Sequence, residues 1–331
     1  MGYNIMDDRL AALLLAHRNE PLSGEAISRE MGVTRAAVWK GMDRLRQAGW
    51  EIESATNRGY RLAAVPDLVT APVVEHFLPP ERKAPVYAYD QLDSTITQGQ
   101  RMVLEGVESG AVIIADRQTA GAGRMGRSFL SPGGVGIYLS YLLAPGCGGE
   151  KLSLLTSCAG LAVCGAISAC TGLSPAIKWP NDIILEGKKV CGILTRLVSD
   201  GEDGSIAWAI IGIGINVAQD SFPPELRDKA ISVKMAGKTV LRARLAGELI
   251  ARLDEIFAGT GWQGDDPAVL DRLRSLSCTL GRPVVVTSPL GRQEGTAVDI
   301  ASDGSLLVRF ADGIRPVNSG EVSVRGVLGY T

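Results

Sequence analysis

Apolar side chains recur at helical spacing through the opening segment of the chain. Leu10, Leu13 and Leu14 form one stripe, which ends before Pro21. Ser23 stands where an N-cap is wanted, and Ala26, Ile27 and Met31 give the apolar side of a second short helix. Gly32 supplies a tight turn. Thr34 caps a third helix, predicted over Arg35 to Ala48, with Val38, Met42 and Leu45 inward and Gly49 as its stop. Helix, glycine turn, helix is the helix-turn-helix pattern. The runs Glu51–Ser54 and Arg58–Leu62, joined by Ala55-Thr56-Asn57, predict a two-stranded wing.

The pattern then changes twice. Ala63 to Pro72 (AAVPDLVTAP) breaks the periodicity and reads as a linker. From there to about Ser275 strands and helices alternate. Ala111–Asp116 and Ala209–Asn216 are continuous apolar runs of strand length, and Val135–Leu143 is a further strand. Leu152–Cys170 is interrupted by Ser, Thr and Gly, which favours a buried helix over a membrane span. From Leu276 onward, Pro283–Thr287, Gln293–Ile300, Ser305–Phe310, Ile314–Val317 and Glu321–Val324 are short strands, with hairpin turns at Asp303-Gly304 and Asp312-Gly313. The expected fold class is α+β in three units: a winged helix-turn-helix over 1–65, a mixed α/β unit over 66–275 and a small β-barrel over 276–331.

Charge narrows what the first unit can do. The 331 residues carry a formal net charge of −2, so nucleic-acid binding must come from a local patch. Ala36, Lys40, Asp43 and Gln47 share the face of the third helix opposite its core, flanked by Arg35, Trp39 and Arg44. Ala36 and Ala37 let backbone approach base edges, while Arg35, Lys40 and, on the wing, Arg58 and Arg61 can reach phosphates. An ordinary solvated helix of a docking module is the alternative, since Glu30 and Asp43 dilute the charge.

The six cysteines do not form a framework, and buried thiols in a reducing cytosol are expected. With only two histidines, His17 and His76, neither a zinc site nor a histidine-based triad is indicated. Asp7 and Asp8 stand where an export signal would be basic, so a cytoplasmic location is expected.

Three segments carry candidate chemistry. After the Ala111–Asp116 strand comes Gln118-Thr119-Ala120-Gly121-Ala122-Gly123-Arg124-Met125-Gly126-Arg127. It matches G-x-G-x-x-G literally. A dinucleotide fingerprint needs a helix opening inside that loop, whereas Ser131-Pro132-Gly133-Gly134 and a strand follow. A glycine loop with mobile arginines instead suits a phosphate-bearing ligand or an anionic transition state. Next, Lys178-Trp179-Pro180-Asn181-Asp182 is a rigid turn offering an amide and a carboxylate for Mg²⁺ or phosphate. Beyond Gly187, Lys189 enters an apolar strand, a costly place for a cation without an anionic partner. Last, Gly212-Ile213-Gly214-Ile215-Asn216 lets a ligand approach the strand closely.

Asp93-Ser94-Thr95, the glycine–arginine loop, Lys178–Asp182, Gly187-Lys188-Lys189-x-x-Gly192 and Gly212–Asn216, in this order, resemble the biotin–protein ligases. The N-terminal unit is similar to that of the bifunctional members, which also repress biotin synthesis genes. The resemblance implies a central domain like the class II synthetase-like ligases and a C-terminal SH3-like barrel. It implies biotin, ATP and Mg²⁺ as ligands, a biotin carboxyl carrier protein and operator DNA as partners, and a homodimer at least when adenylate is bound. It assigns biotin to Ser94, Thr95, Ile96, Gln118, Ala122, Gly123, Arg124 and Lys189. It assigns ATP to Arg124, Arg127, Lys178, Asn181, Asp182 and Asn216, catalysis to Lys189 and Arg124, and a metal to Asp182. DNA contact falls to Arg35, Ala36, Lys40 and Arg58. Ala122 stands where the family usually has Arg, and Ile96 where it often has Asn, which implies a weaker anion grip and looser retention of the adenylate. A biotin-sensing repressor without ligase activity and a lipoate ligase are the competing readings.

Overall fold

The computed structural model describes residues 5–55, 59–146, 152–199, 206–259, 261–263, 266–288, 291–318 and 323–326. Its first elements are α1 (Ile5–Ala16), α2 (Gly24–Met31) and α3 (Arg35–Gln47). The Ser23 hydroxyl accepts from the Ala26 amide at 3.0 Å and that of Thr34 from the Ala37 amide at 3.2 Å, so each supplies a partner to an unpaired first-turn donor. Gly32, at φ 68°, ends α2 in the left-handed region that favours glycine. Leu10, Leu14, Ile27, Val38 and Met42 close the core between these helices. β1 (Ile52–Ala55) and β2 (Gly59–Leu62) pair antiparallel as the wing. Arg58, expected to touch DNA, lies outside the described residues.

The linker expectation is corrected in part. The segment after the wing runs into a short helix, α4 (Ala71–Glu75), with Pro72 in its first turn, where the missing N–H costs nothing. Val73 and Val74 are fully buried. The preceding Asp67 is held by Arg242, whose guanidinium, 2% exposed, also reaches Asp116 at 2.6 Å and donates to the Gly136 carbonyl. The connection is therefore packed onto the central unit, because burying an arginine requires anionic partners and the linker supplies one of them.

The central unit is a sheet of seven strands: β3 (Val86–Leu92), β4 (Val112–Gln118), β5 (Gly136–Leu143), β6 (Ala176–Lys178), β7 (Asp182–Leu185), β8 (Lys188–Ser199) and β9 (Ile206–Asn216). Their order is β3-β4-β5-β9-β8-β7-β6, with β3–β4 parallel and the other ladders antiparallel. Alternation divides the apolar strands between two faces. Ile113, Leu142 and Ile210 pack beside Ile96 and Met102 of α5 (Thr95–Leu104). Val112, Ile114, Tyr141 and Ile211 join the larger core with α6 (Leu152–Thr171), α7 (Arg242–Ala258) and α8 (Pro267–Leu276). Among the described residues α6 alone is long and apolar enough to cross a membrane, yet most of it is buried in this core. Burial pushes the thiols of Cys158 and Cys164 up to about 12. Cys147 lies outside the described residues.

The last five strands are β10 (Pro283–Ser288), β11 (Gly291–Ile300), β12 (Leu306–Phe310), β13 (Gly313–Val317) and β14 (Ser323–Gly326), all antiparallel in the order β13-β12-β11-β10-β14. Arg274 of α8 ties this sheet to the centre through Asp299 of β11 at 2.7 Å, and Trp179 ties it again. Buried Trp179 donates its indole N–H to the Gly304 carbonyl at 3.0 Å, and its amide donates to the Thr279 hydroxyl at 3.0 Å.

Candidate active site

The pocket opens where α5 begins and where strands β8 and β9 carry glycines. Successive even positions of a strand share a face. Gly212 and Gly214 of β9 therefore leave a trough, and Gly192 of β8, in register with Gly214, widens it. A side chain on Gly212 would meet Ile96 Cδ1 at 2.5 Å, and one on Gly214 would meet the Phe129 ring at 2.5 Å. Ile96 and Phe129 thus lie directly on the strand backbone. The cavity above them is open to solvent. Its walls include Ser94, Thr95, Ile96, Gln118, Ala122, Gly123, Arg124, Asn181 and Lys189.

At one end sit the polar groups of β3, β4 and α5. Ser94 caps α5, its hydroxyl accepting from the Ile96 amide at 3.2 Å. The Ser140 hydroxyl donates to Thr95 Oγ1 at 2.8 Å, and Thr95 donates to Gln118 Oε1 through its amide at 2.9 Å and its hydroxyl at 3.3 Å. Gln118 Nε2 donates to Ser131 Oγ at 2.9 Å, and Ser131 donates to the Phe129 carbonyl at 3.0 Å. Gln118 is engaged at both ends, so in this conformation it positions Thr95 and the Phe129 turn. Phe129 is the wall residue that sequence reasoning missed. The signal was present: one aromatic in a polar loop opposite a strand with glycines two apart.

At the other end sits the charge. Glu186 (φ 49°) and Gly187 (φ 75°) make the two-residue turn between β7 and β8, both with positive φ as a type I′ hairpin requires. The β7–β8 register shifts just after this turn, so that Ile184 opposes Lys189 while Ile183 opposes Cys191. Such a bulge re-aims side chains. Lys189 runs across the bare Cα of Gly192, where an added Cβ would be 2.8 Å from both Cε and Nζ. Its ammonium reaches Asp182 Oδ1 at 2.5 Å, with 26% and 15% of the two side chains exposed. The anionic partner that the pattern demanded is therefore Asp182.

Arg124 completes this end. The loop after β4 folds on itself: Gly123 N–H donates to the Arg127 carbonyl at 2.7 Å, and Phe129 N–H to that of Gly121 at 2.8 Å. Those two amides are spent inside the loop in this conformation. The arch projects Arg124 inward, where Nη1 donates to Asn181 Oδ1 at 3.1 Å. Burial pulls the Arg124 pKa down from its ordinary value, Asp182 opposes that, and Arg127 adds to it. A half-buried guanidinium under such a load gains from any anion that enters.

Four expected contacts sit elsewhere. Arg127 is exposed on the loop, outside the pocket wall. Lys178 is buried at the end of β6, opposite Asp182 in the ladder. Asp182 stands behind Lys189 rather than in the wall. Asn216 is 4% exposed and donates to the Ile231 carbonyl at 3.2 Å, so it clips a returning segment to the sheet instead of lining the floor. In the N-terminal unit Arg35, Ala36 and Lys40 are exposed along α3. Arg44, which flanks that face, is paired with Asp7 at 2.6 Å.

Family models match in the same three parts. Residues 88–216 match the biotin/lipoate A/B protein ligase family, residues 8–61 a helix-turn-helix domain, and residues 279–325 the biotin protein ligase C-terminal domain. The bifunctional ligase/repressor BirA of Bacillus spizizenii is 34% identical over 92% of this chain and 94% of its own length. The chain belongs to the bifunctional biotin ligase/repressor family. BirA of Escherichia coli is 30% identical over 98% of this chain and 99% of its own. The biotin protein ligase of Aquifex aeolicus, solved with biotin and ATP, superposes with a TM-score of 0.62 at 31% identity, covering 74% of this chain and all of that one.

Proposed function

We propose that this pocket joins biotin to AMP and then to a lysine of a biotin carboxyl carrier protein, and that α3 places the same chain on operator DNA. Biotin lies with its ring system over the glycine trough, its polar edge toward Ser94 and Thr95 and its carboxylate toward Lys189. In the first step a carboxylate oxygen attacks the α-phosphorus of ATP, and the bond to the β-phosphate oxygen breaks as pyrophosphate leaves. In the second, a carrier lysine attacks the mixed anhydride carbonyl, AMP leaves and the amine gives up its proton. Both steps gather negative charge on oxygens, which fixed cations stabilise far better in a half-dry pocket than in water. Lys189 and Arg124 are those cations. Asn181, already in the pocket wall, can meet the nucleotide as it stands, whereas Arg127, Lys178, Asp182 and Asn216 hold it directly only if the loop and the Lys189–Asp182 pair rearrange around it.

Among the described residues no three His, Cys, Asp or Glu side chains converge to hold a metal. Asp182 already carries Lys189. A resident metal does not fit this donor set, whereas Mg²⁺ arriving on ATP brings water and phosphate ligands of its own. The observation that carries the reading is Lys189 lying across Gly192 in the pocket wall. Incubation with MgATP, biotin and a carrier domain, read by mass spectrometry, tests it. Incorporation of biotin at one carrier lysine is expected. Incorporation of lipoate in preference would sink the biotin assignment, and binding of biotin without any pyrophosphate exchange would leave only a sensor.

The three units are assigned to 1–65, 66–275 and 276–331, the last curling as an SH3-like barrel, in a cytoplasmic protein. Repression needs two half-sites, which calls for a homodimer of the adenylate-bound form. Sedimentation with and without biotin and ATP measures it. Ala122 and Ile96 predict faster release of the adenylate than from a relative with Arg and Asn there.

A further inference from the structure

Among the described residues of the N-terminal unit, Trp39 is the one large apolar side chain left in water. It is 57% exposed on the second turn of α3, while Val38 and Met42 beside it are fully buried. The fold has no use for this indole in the core, and exposing it is costly. Its surroundings point to what covers it. Arg35 lies one turn before Trp39 on the same line of the helix, and Ala36 and Lys40 form the adjacent line. Arg35 and Lys40 are exposed and make no ion pair among the described residues. Three other arginines nearby are paired with acids, Arg29 with Glu25 at 3.0 Å, Arg44 with Asp7 at 2.6 Å and Arg61 with Glu53 at 2.7 Å, while half-buried Arg46 is turned to the Ile52 carbonyl and the Tyr60 ring. Among the described residues, the exposed cations of α3 without an ion pair are thus Arg35 and Lys40, in its N-terminal half around Trp39. At the other half Asp43 accepts from Gln47 at 2.9 Å and would repel phosphate. The partner must be anionic at its rim and must offer an apolar group to an aromatic edge. The major groove of DNA does both, because phosphates flank it and each thymine presents a C5-methyl.

We propose that Trp39 packs on a thymine methyl in the major groove and so contributes sequence selectivity rather than general affinity. This rests on α3 being the DNA-reading helix. Ala36, three residues earlier, leaves the depth beside the indole that such an approach needs.

The full-length protein with biotin and ATP is first used to select a duplex from a randomised library. Affinity is then measured for the selected duplex and for one of random sequence, with wild type, Trp39→Ala and Lys40→Ala. Each thymine of the selected duplex is also replaced by uracil in turn. Trp39→Ala is expected to bind the selected duplex about 10-fold more weakly and the random duplex unchanged. Wild type should lose a similar factor at one or more uracil positions, to which Trp39→Ala is indifferent. Lys40→Ala should weaken both duplexes in parallel. Biotin transfer by Trp39→Ala checks that the variant is folded, and the uracil series on wild type does not depend on any variant. Equal binding of both duplexes by Trp39→Ala and wild type, or a wild type insensitive to every uracil, overturns the role of Trp39. A wild type that binds no duplex, or all alike, removes the DNA-reading assignment of α3 itself.

Discussion

Replacing Lys189 by alanine separates two effects of one ammonium group. It sits 2.5 Å from Asp182 in a wall where about a quarter of its own side chain is exposed. At an effective dielectric near 20, unit charges ~4 Å apart attract by about 4 kcal/mol before desolvation is counted. Cutting a fully buried pair costs roughly 3–5 kcal/mol. With water reaching both partners here, the stability loss should be about 1–2 kcal/mol. The catalytic loss is independent of that. One fixed donor at a developing oxyanion contributes roughly 10²–10³ in rate, or about 3–4 kcal/mol. Biotin-dependent exchange of pyrophosphate into ATP reads the second quantity and thermal melting the first. Adding Asp182→Asn removes the stranded carboxylate, so the double variant should regain melting temperature without regaining exchange. A folded Lys189→Ala enzyme whose exchange stays within about threefold of wild type would refute the placement of the reacting carboxylate at Lys189.

Other outcomes follow from the same packing. Gly214→Ala puts a Cβ 2.5–3.0 Å from three Phe129 ring atoms, so the ring must tip into the pocket. The Kd for biotin in titration calorimetry should rise by roughly tenfold, with melting little changed. Gly192→Ala would push Lys189 off the strand, since Cε and Nζ are both 2.8 Å from the new Cβ; kcat should fall by at least about tenfold with Asp182 intact. Arg242→Met strands Asp67 and Asp116, which are 39% and 36% exposed and can be rehydrated. The stability loss should therefore be about 2 kcal/mol rather than the full buried-pair value, and limited proteolysis should cut first within 63–70. Burial raises the pKa of Glu75, Arg82 opposes and Asp8 adds; Asp8 itself is raised by burial and by Asp7. A carboxyl whose folded pKa is raised destabilises the fold once it ionises, so the penalty is absent below about pH 4 and complete above the folded value. Glu75→Gln should accordingly melt higher than wild type at pH 7, with the difference closing as pH falls toward 4; a gap that persists at pH 4 would contradict the sign.

Local rules were enough for much of this molecule. Ser23, Gly32 and Thr34 bound their helices because caps and left-handed turns are decided by residues a few positions apart. The strand around Gly212 and Gly214, the turn at Gly187 and the cation of Lys189 in need of a partner were legible for the same reason, each being a conflict or permission within a short stretch. Partners far apart in sequence were decided only by the packed sheet. Asp182 reaches Lys189 through a bulge in the β7–β8 ladder, Phe129 lands on Gly214 because the loop after β4 folds back on itself, and Asp67 turns the linker into a clamp once Arg242 of α7 needs an anion. Asn216 shows the converse, since its residue type invites a ligand while the returning segment claims its amide first. Periodicity reports which face a side chain takes, whereas the charge it meets depends on which strands become neighbours, and that is a property of the whole chain.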